Sequence, residues 1–207
     1  DAKAVEWYQK AAVQGGVGAQ LNLGEMYRAG RGVPKDAAKA FEWYQKAAAQ
    51  GNADAQATLG RMYSDGEGVP KDAAKSSEWY QKALAQGHPV AQWNLATNYL
   101  LGIGVPKDDA KAFEWYQKSA AQGRPGSQAM LGALYYAGTG VPKDFAKAFE
   151  WYQKAAAQGL ASAQTYLTGM YYNGEGVSRD VVLGYVWANL SAAQGNKEGI
   201  ARRDWIE

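Results

Sequence analysis

Few residues in this sequence could do chemistry. There is one histidine, His88, in 207 residues, and there is no cysteine. A Ser-His-Asp triad would need His88 as its base. Ser64, Ser127 and the other serines stand in no nucleophile elbow. One histidine cannot build a multi-histidine metal site, and without cysteine the metal options shrink to carboxylates. The adjacent carboxylates Asp108 and Asp109 fall where a helix begins, the end that favours anions electrostatically. Gly66-Glu67-Gly68 and its copies follow a helical pattern rather than a strand, and lack the Gly-Lys-Ser/Thr ending of a phosphate loop. His88, followed by Pro89, is read as an exposed N-cap residue. No catalytic, cofactor-binding or metal-binding residue is assigned, and no cofactor is expected.

The elements that would have to position such residues are copies of one unit, clearest from Gly51 to Gln86. Trp recurs at 7, 43, 79, 115, 151 and 187, and Gly at 15, 51, 87, 123, 159 and 195, always 36 residues apart (43 − 7). A fixed period in this range signals a stacked repeat array. Within the unit, helix A is expected from Ala53 to Asp65 with Gly66 as its left-handed cap. Helix B is expected from Ala73 to Gln86, with Asp72 as N-cap and Gly87 closing it. The intervening GEGVPKD has glycines that permit positive φ and a proline fixed in an extended lead-in. Pro89 and Pro125 suit the first position of their A helices, where the missing N–H is harmless. Asn52 and Asn196 stand at N-cap positions.

The pattern AQxxLGxMYxxGxGVPKDxxKAxEWYQKAAAQG resembles the Sel-one-like repeat family, relatives of the tetratricopeptide repeat, over nearly the whole chain. The resemblance implies an all-α solenoid of antiparallel helix pairs stacked into a right-handed superhelix. It implies a bacterial adaptor that binds proteins. The compartment is left open, with export favoured by the resemblance. Cysteine-rich relatives exist, and this chain departs from them. Some relatives have been linked to cell-wall or β-lactam chemistry, but no residue here carries that over, so a hydrolase is the least favoured reading.

Residues 1–207 are read as one array. Asp1 aligns with Ala37, so residues 1–14 form a lone B helix and the chain is inferred to be a fragment or a matured product. Five full repeats span 15–194, and 195–207 form a C-terminal capping helix. The core stripe of helix A is Ala19, Leu23 and Tyr27; that of helix B is Ala40, Phe41, Tyr44, Ala47 and Ala48. Gly24, repeated as Gly60 and Gly132, should let helix B approach closely, and Thr168 in that column should push its pair apart. Repeat two carries Ser76, Ser77 and Leu84 and is expected to pack least well. The periodic Trp residues read as inter-repeat packing, and Glu42–Lys46 as an i,i+4 surface pair.

The A helices vary most in the columns of residues 18, 21, 22, 25, 28 and 29, opposite the core stripe at 100° per residue. If the A helices line the concave face, as the resemblance implies, this stripe is the surface offered to a partner. It opens polar, with Glu25 and Arg61, and then turns apolar. Trp93, Asn94, Thr97 and Leu101 follow, then Met130, Tyr136, Tyr166 and Tyr172. These ten are the candidate contacts for a protein or peptide in the groove. Net charge is +2, which gives no drive toward nucleic acid. No run of 18 apolar residues exists, so no transmembrane helix is expected. In the last B helix, Leu183, Val186 and Leu190 replace the Lys39, Glu42 and Lys46 columns. That stripe should be covered, by the C-terminal helix or by self-association through this end. A purely structural or self-assembling spacer is the alternative function.

Overall fold

The computed structural model describes residues 1–206. Among these the chain is all-α, with helices α1 (Ala2–Val13), α2 (Val17–Ala29), α3 (Ala37–Ala49), α4 (Ala53–Asp65), α5 (Ala73–Leu84), α6 (Pro89–Leu101), α7 (Asp109–Ala121), α8 (Pro125–Ala137), α9 (Phe145–Ala157), α10 (Ala161–Asn173), α11 (Val181–Ala193) and α12 (Lys197–Ile206). They form two compact units, Asp1–Lys107 with α1–α6 and Asp108–Glu207 with α7–α12. The even-numbered helices from α2 on are A helices, and the odd-numbered ones are B helices.

Each helix starts and stops for a local reason. Asp36, Asp72, Asp108, Asp144 and Asp180 cap the B helices, each accepting the backbone N–H three residues on at 2.9–3.0 Å. The Lys39 N–H holds the Asp36 carboxyl below the usual carboxylate range. The A helices end on left-handed glycines; at Gly66, φ is +75°, and the N–H groups of Gly66 and Glu67 both donate to the Met62 carbonyl. The turn is then tied back, because Asp72 N–H donates to the Tyr63 carbonyl at 3.0 Å. α5 stops at Leu84, two residues short of expectation, and the Gly87 N–H closes the turn on the Leu84 carbonyl.

The core is built from copied columns. Leu23, Leu59, Leu95, Leu131 and Leu167 are fully buried, as are Tyr44, Tyr80, Tyr116 and Tyr152. The tyrosine rings lie on the glycine column: a Cβ at Gly24 would sit 3.0 Å from the Tyr44 ring, and one at Gly60 2.7 Å from Tyr80. Thr168 does not push α10 and α11 apart, because the residue in the tyrosine column is Ala188 and the volume is exchanged across the pair. A Cβ at Gly184 would lie only 3.3 Å from the Thr168 carbonyl oxygen. The repeated Gln residues form rungs that run from the surface inward: Gln86 Nε2 donates to Gln56 Oε1 at 2.9 Å, and the buried Gln56 Nε2 to the Ala48 carbonyl at 3.3 Å. Trp43 packs on the Val5–Leu23 cluster and Trp79 on the next one, so the periodic Trp residues do join successive repeats. Lys46 does not serve Glu42 as expected. Its ammonium lies 4.0 Å over the Trp43 ring, a cation–π contact copied at Trp79 and Trp151.

Repeat two is rewired. Elsewhere a phenylalanine meets a tyrosine edge-on, Phe41 with Tyr63 and Phe149 with Tyr171, at ring centroids 5.4 and 5.2 Å apart. Ser77 removes that contact. It is buried, and its hydroxyl accepts from Asn98 Nδ2 at 2.9 Å, while Ser76 Oγ donates to the Gly60 carbonyl at 2.7 Å. Asn98 stands in the column of Met62 and Met170, so two apolar residues have become a hydrogen-bonded pair. Asn98→Met and Ser77→Phe should each destabilise alone. The double substitution should recover part of the loss, with a coupling of about 1–2 kcal/mol in a urea double-mutant cycle. Simple additivity would show that the pair is not coupled.

Candidate protein-binding surface

In the first unit the variable stripe lies on α2, α4 and α6. Glu25 is not a free groove carboxylate. Arg28 grips it at 2.8 Å, and the buried Tyr44 hydroxyl donates to its Oε2 at 2.9 Å. Burial pushes the Glu25 pKa up, but the Arg28 and Tyr44 hydrogen bonds and the charges of Arg28 and Arg31 outweigh it, and the carboxyl lies below its ordinary value. Burial and that carboxylate push the Tyr44 phenol well above its own ordinary value. One repeat on, Arg61 is exposed and lines a hollow of about 340 Å3 with Asp54, Thr58, His88 and Val90. His88 is not the exposed turn residue expected; its side chain is 14% exposed. Nδ1 accepts the Ala91 N–H as the cap, and the opposite nitrogen, Nε2, meets Asp54 Oδ1 at 3.0 Å. Trp93, Asn94 and Thr97 are half-buried, and Thr97 Oγ1 donates to the Trp93 carbonyl within the helix. Leu101 is 62% exposed.

In the second unit the stripe lies on α8, α10 and α12. Met130, Tyr136 and Tyr172 are half-buried. The Tyr136 hydroxyl donates to Glu175 at 2.8 Å, and its ring packs on Phe145. Tyr166 is stacked on Tyr152 at 4.6 Å and is 46% exposed. Tyr172 meets Trp205 edge-on at 4.6 Å. Trp205 and Arg202 continue the stripe onto α12, because they stand 36 residues beyond Gly169 and Tyr166. Both are legible by that count, one repeat beyond the ten candidate contacts.

Tyr152 shows what a change in the stripe does beneath it. Its hydroxyl is buried with no hydrogen-bond partner. The residue in the Glu25 column of that repeat is Ala133, so the acceptor that serves Tyr44 is missing. Burial, Tyr166 and Tyr136 all raise the Tyr152 pKa. Tyr152→Phe should therefore be neutral or slightly stabilising, whereas Tyr44→Phe should cost about 1.5–3 kcal/mol, the range for a bond to a charged acceptor. Equal losses in urea melts would contradict the assignment.

The C-terminal helix does not cover the apolar stripe of the last B helix. α12 seats Gly199 against Ser191 and Ala192, in the place of a further A helix. On α11, Leu183, Val186 and Leu190 stay 41%, 44% and 45% exposed, beside Val182 at 73%. Their columns lie on the outer face of every B helix, which an A-type helix does not reach.

Among the described residues no cluster of His, Cys, Asp or Glu could hold a metal ion, and no helix is long and apolar enough to cross a membrane.

The repeated helix pairs, capped and seated in one way, define an α-solenoid of the kind typical of protein-interaction modules. The chain belongs to the Sel1 repeat family, whose model matches residues 1–16, 17–52, 53–88, 89–123, 125–160 and 161–196. It is similar to c5321, a protective antigen present in uropathogenic Escherichia coli strains that displays an SLR fold, at 41% identity over 97% of this chain with a TM-score of 0.94. This chain spans 43% of that antigen's chain. A Sel1 repeat protein from Oxalobacter formigenes is 35% identical over 90% of this chain and 74% of its own, with a TM-score of 0.85. A Sel1 repeat protein from Klebsiella pneumoniae covers 98% of both chains at 26% identity, with a TM-score of 0.59. No curated protein matches the chain.

Proposed function

We propose that this chain is a non-catalytic scaffold that binds a protein or peptide along the A-helix faces of its units. The observation that carries this is where the apolar exposure lies. Leu101, Tyr166 and Trp205 are 62%, 46% and 66% exposed on A helices, whereas the outward columns of the B helix α3 hold Lys39, Glu42 and Lys46, and the large apolar residues exposed on B helices fall on α1 and α11. Exposed aromatic and aliphatic side chains on a rigid repeat face suit a partner's apolar segment. Capture from the source cells with the wild-type chain, Leu101→Lys and Tyr166→Lys side by side tests the reading. A partner retained by wild type and lost, with helicity intact, from one or both variants is the expected result. A partner retained equally by all three would place binding elsewhere.

A self-assembling module is the second reading, favoured by the apolar outer face of α11. Restoring the usual chemistry with Leu183→Lys, Val186→Glu and Leu190→Lys should leave helicity unchanged and abolish any concentration-dependent association. Sedimentation velocity over a hundredfold concentration range decides it. A wild-type chain that stays monomeric throughout would discard this reading.

A further inference from the structure

We propose that the hollow between α10 and α12 is a pocket for a carboxylate carried by a peptide, either an acidic side chain or a C-terminal carboxylate. The proposal rests on the A-helix face being the binding face. Its centre is Arg202. Nε and Nη2 of that guanidinium donate to Glu198 Oε1 at 3.2 and 2.8 Å. Nη1 is turned the other way, over Gly169, where a Cβ would stand 2.9 Å from it. The same column holds Glu25, Arg61, Thr97 and Ala133 in the other repeats, all with a Cβ. Glycine stands there where the guanidinium of the following A helix needs the room.

The hollow beside Gly169 and Arg202 holds about 180 Å3 and is also lined by Tyr172, Asn173, Trp205 and Ile206. That volume suits one side chain rather than a helix. Among the described residues no carboxylate lines it, in contrast to the adjoining hollow, which shares Gly169, Asn173 and Arg202 with it and is lined by Glu175. Tyr172 and Trp205, which meet edge-on at 4.6 Å, wall the hollow beside the guanidinium with aromatic surface. Outside the lining, the Arg179 guanidinium stands 5.4 Å from the Tyr172 ring, with its Nε held by the Tyr172 carbonyl. The carboxylates nearby are Glu198, bonded to Arg202, and Glu175 in the adjoining hollow, which accepts from the Tyr136 hydroxyl. A planar guanidinium with an N–H edge still to fill is the group that recognises carboxylates most directionally.

The test uses the whole 15N-labelled chain and three tripeptide probes. These are acetyl-Ala-Glu-Ala-amide, acetyl-Ala-Gln-Ala-amide, and acetyl-Ala-Gln-Ala with a free C-terminal carboxylate. The Arg202 Nε–H and Trp205 indole signals, assigned with Arg202→Gln and Trp205→Phe, should shift saturably with at least one acid probe. The neutral probe should bind roughly tenfold more weakly. Saturation by the first probe alone identifies a side-chain carboxylate, and by the third alone a C-terminus. Arg202→Gln should abolish the response in the indole signal. Gly169→Ala, which pushes the guanidinium off its seat, should weaken it severalfold with the melting temperature held. Equal response to the neutral probe, no response up to about 20 mM, or a response that survives Arg202→Gln would overturn the pocket. A captured partner insensitive to Arg202→Gln but lost with Leu101→Lys would overturn the pocket and leave the scaffold reading standing. Saturable acid binding with no partner captured on either unit would do the reverse.

Discussion

Replacing Gly68 by alanine is expected to destabilise the protein by about 3 kcal/mol, while the same change at Gly51 costs about 1 kcal/mol. Both glycines have positive φ, +72° and +86°. An alanine in that region is disfavoured by roughly 1–2 kcal/mol on backbone sterics alone, and Gly51 has only that to lose, because nothing lies within 4 Å of the Cβ it would gain. The Cβ at Gly68 would run into the Ala37 carbonyl, at the start of the preceding repeat's B helix. Backbone cannot swing aside as a side chain can, so overpacking adds about 1–3 kcal/mol more. Gly104 meets Ala73 and Gly176 meets Phe145 in the same way. The second glycine of each Gly-x-Gly turn is therefore the seat on which one repeat rests against the last, whereas Gly51, between a B helix and the next A helix, only lets the chain turn. Urea melts of the two variants measure the difference. Equal losses would mean that the turn relaxes and the seat is not rigid.

That division of labour between Gly68 and Gly51 could not be read from the sequence. Spacing located both glycines and identified the helix cap, but the neighbour of Gly68 lies 31 residues earlier (68 − 37), across a repeat boundary. What was legible followed from single columns: the helix pairs, the Asp caps, the Leu and Tyr core, and the Trp contacts between repeats. What was not legible followed from two columns changing together. Thr168 read alone implies a strained pair, but with Ala188 it implies an exchange of volume. Ser77 read alone implies a weak core, but with Asn98 it is one half of a hydrogen bond. The candidate site shows the same limit. Tyr166 and Leu101 are exposed where the stripe put them. Glu25 shares their column face, yet its oxygens are taken by Arg28 and Tyr44. Periodicity gives a side chain its direction and not its partner.

Glu25 is accordingly expected to act on stability before it acts on any ligand. Glu25→Ala leaves the Tyr44 hydroxyl, on a side chain only 2% exposed, without its acceptor. Losing a buried bond to a charged acceptor costs about 2 kcal/mol. The Arg28 ion pair adds little, because the Glu25 side chain is 37% exposed and solvent screens it. Glu25→Gln should cost less, since an amide oxygen can still accept from the phenol. The loss should also depend on pH, in a direction that the carboxyl's own shift fixes. The folded-state pKa of Glu25 is held below its ordinary value of 4.5. A carboxyl depressed in the folded state stabilises above its unfolded pKa, and that contribution disappears as pH falls through the folded value. The urea-midpoint gap between wild type and Glu25→Ala should thus be constant from about pH 6 to pH 8 and shrink below about pH 4.5. The caps Asp36, Asp72, Asp108 and Asp144 are likewise held below the usual carboxylate range, but they are common to both proteins and cancel in the difference. Tyr44→Phe should cost nearly the same as Glu25→Ala, and the double variant little more than either, because all three remove one hydrogen bond. A gap that persists undiminished at low pH, or a double variant with the summed loss, would show that Glu25 stabilises the fold through something other than its charge on Tyr44.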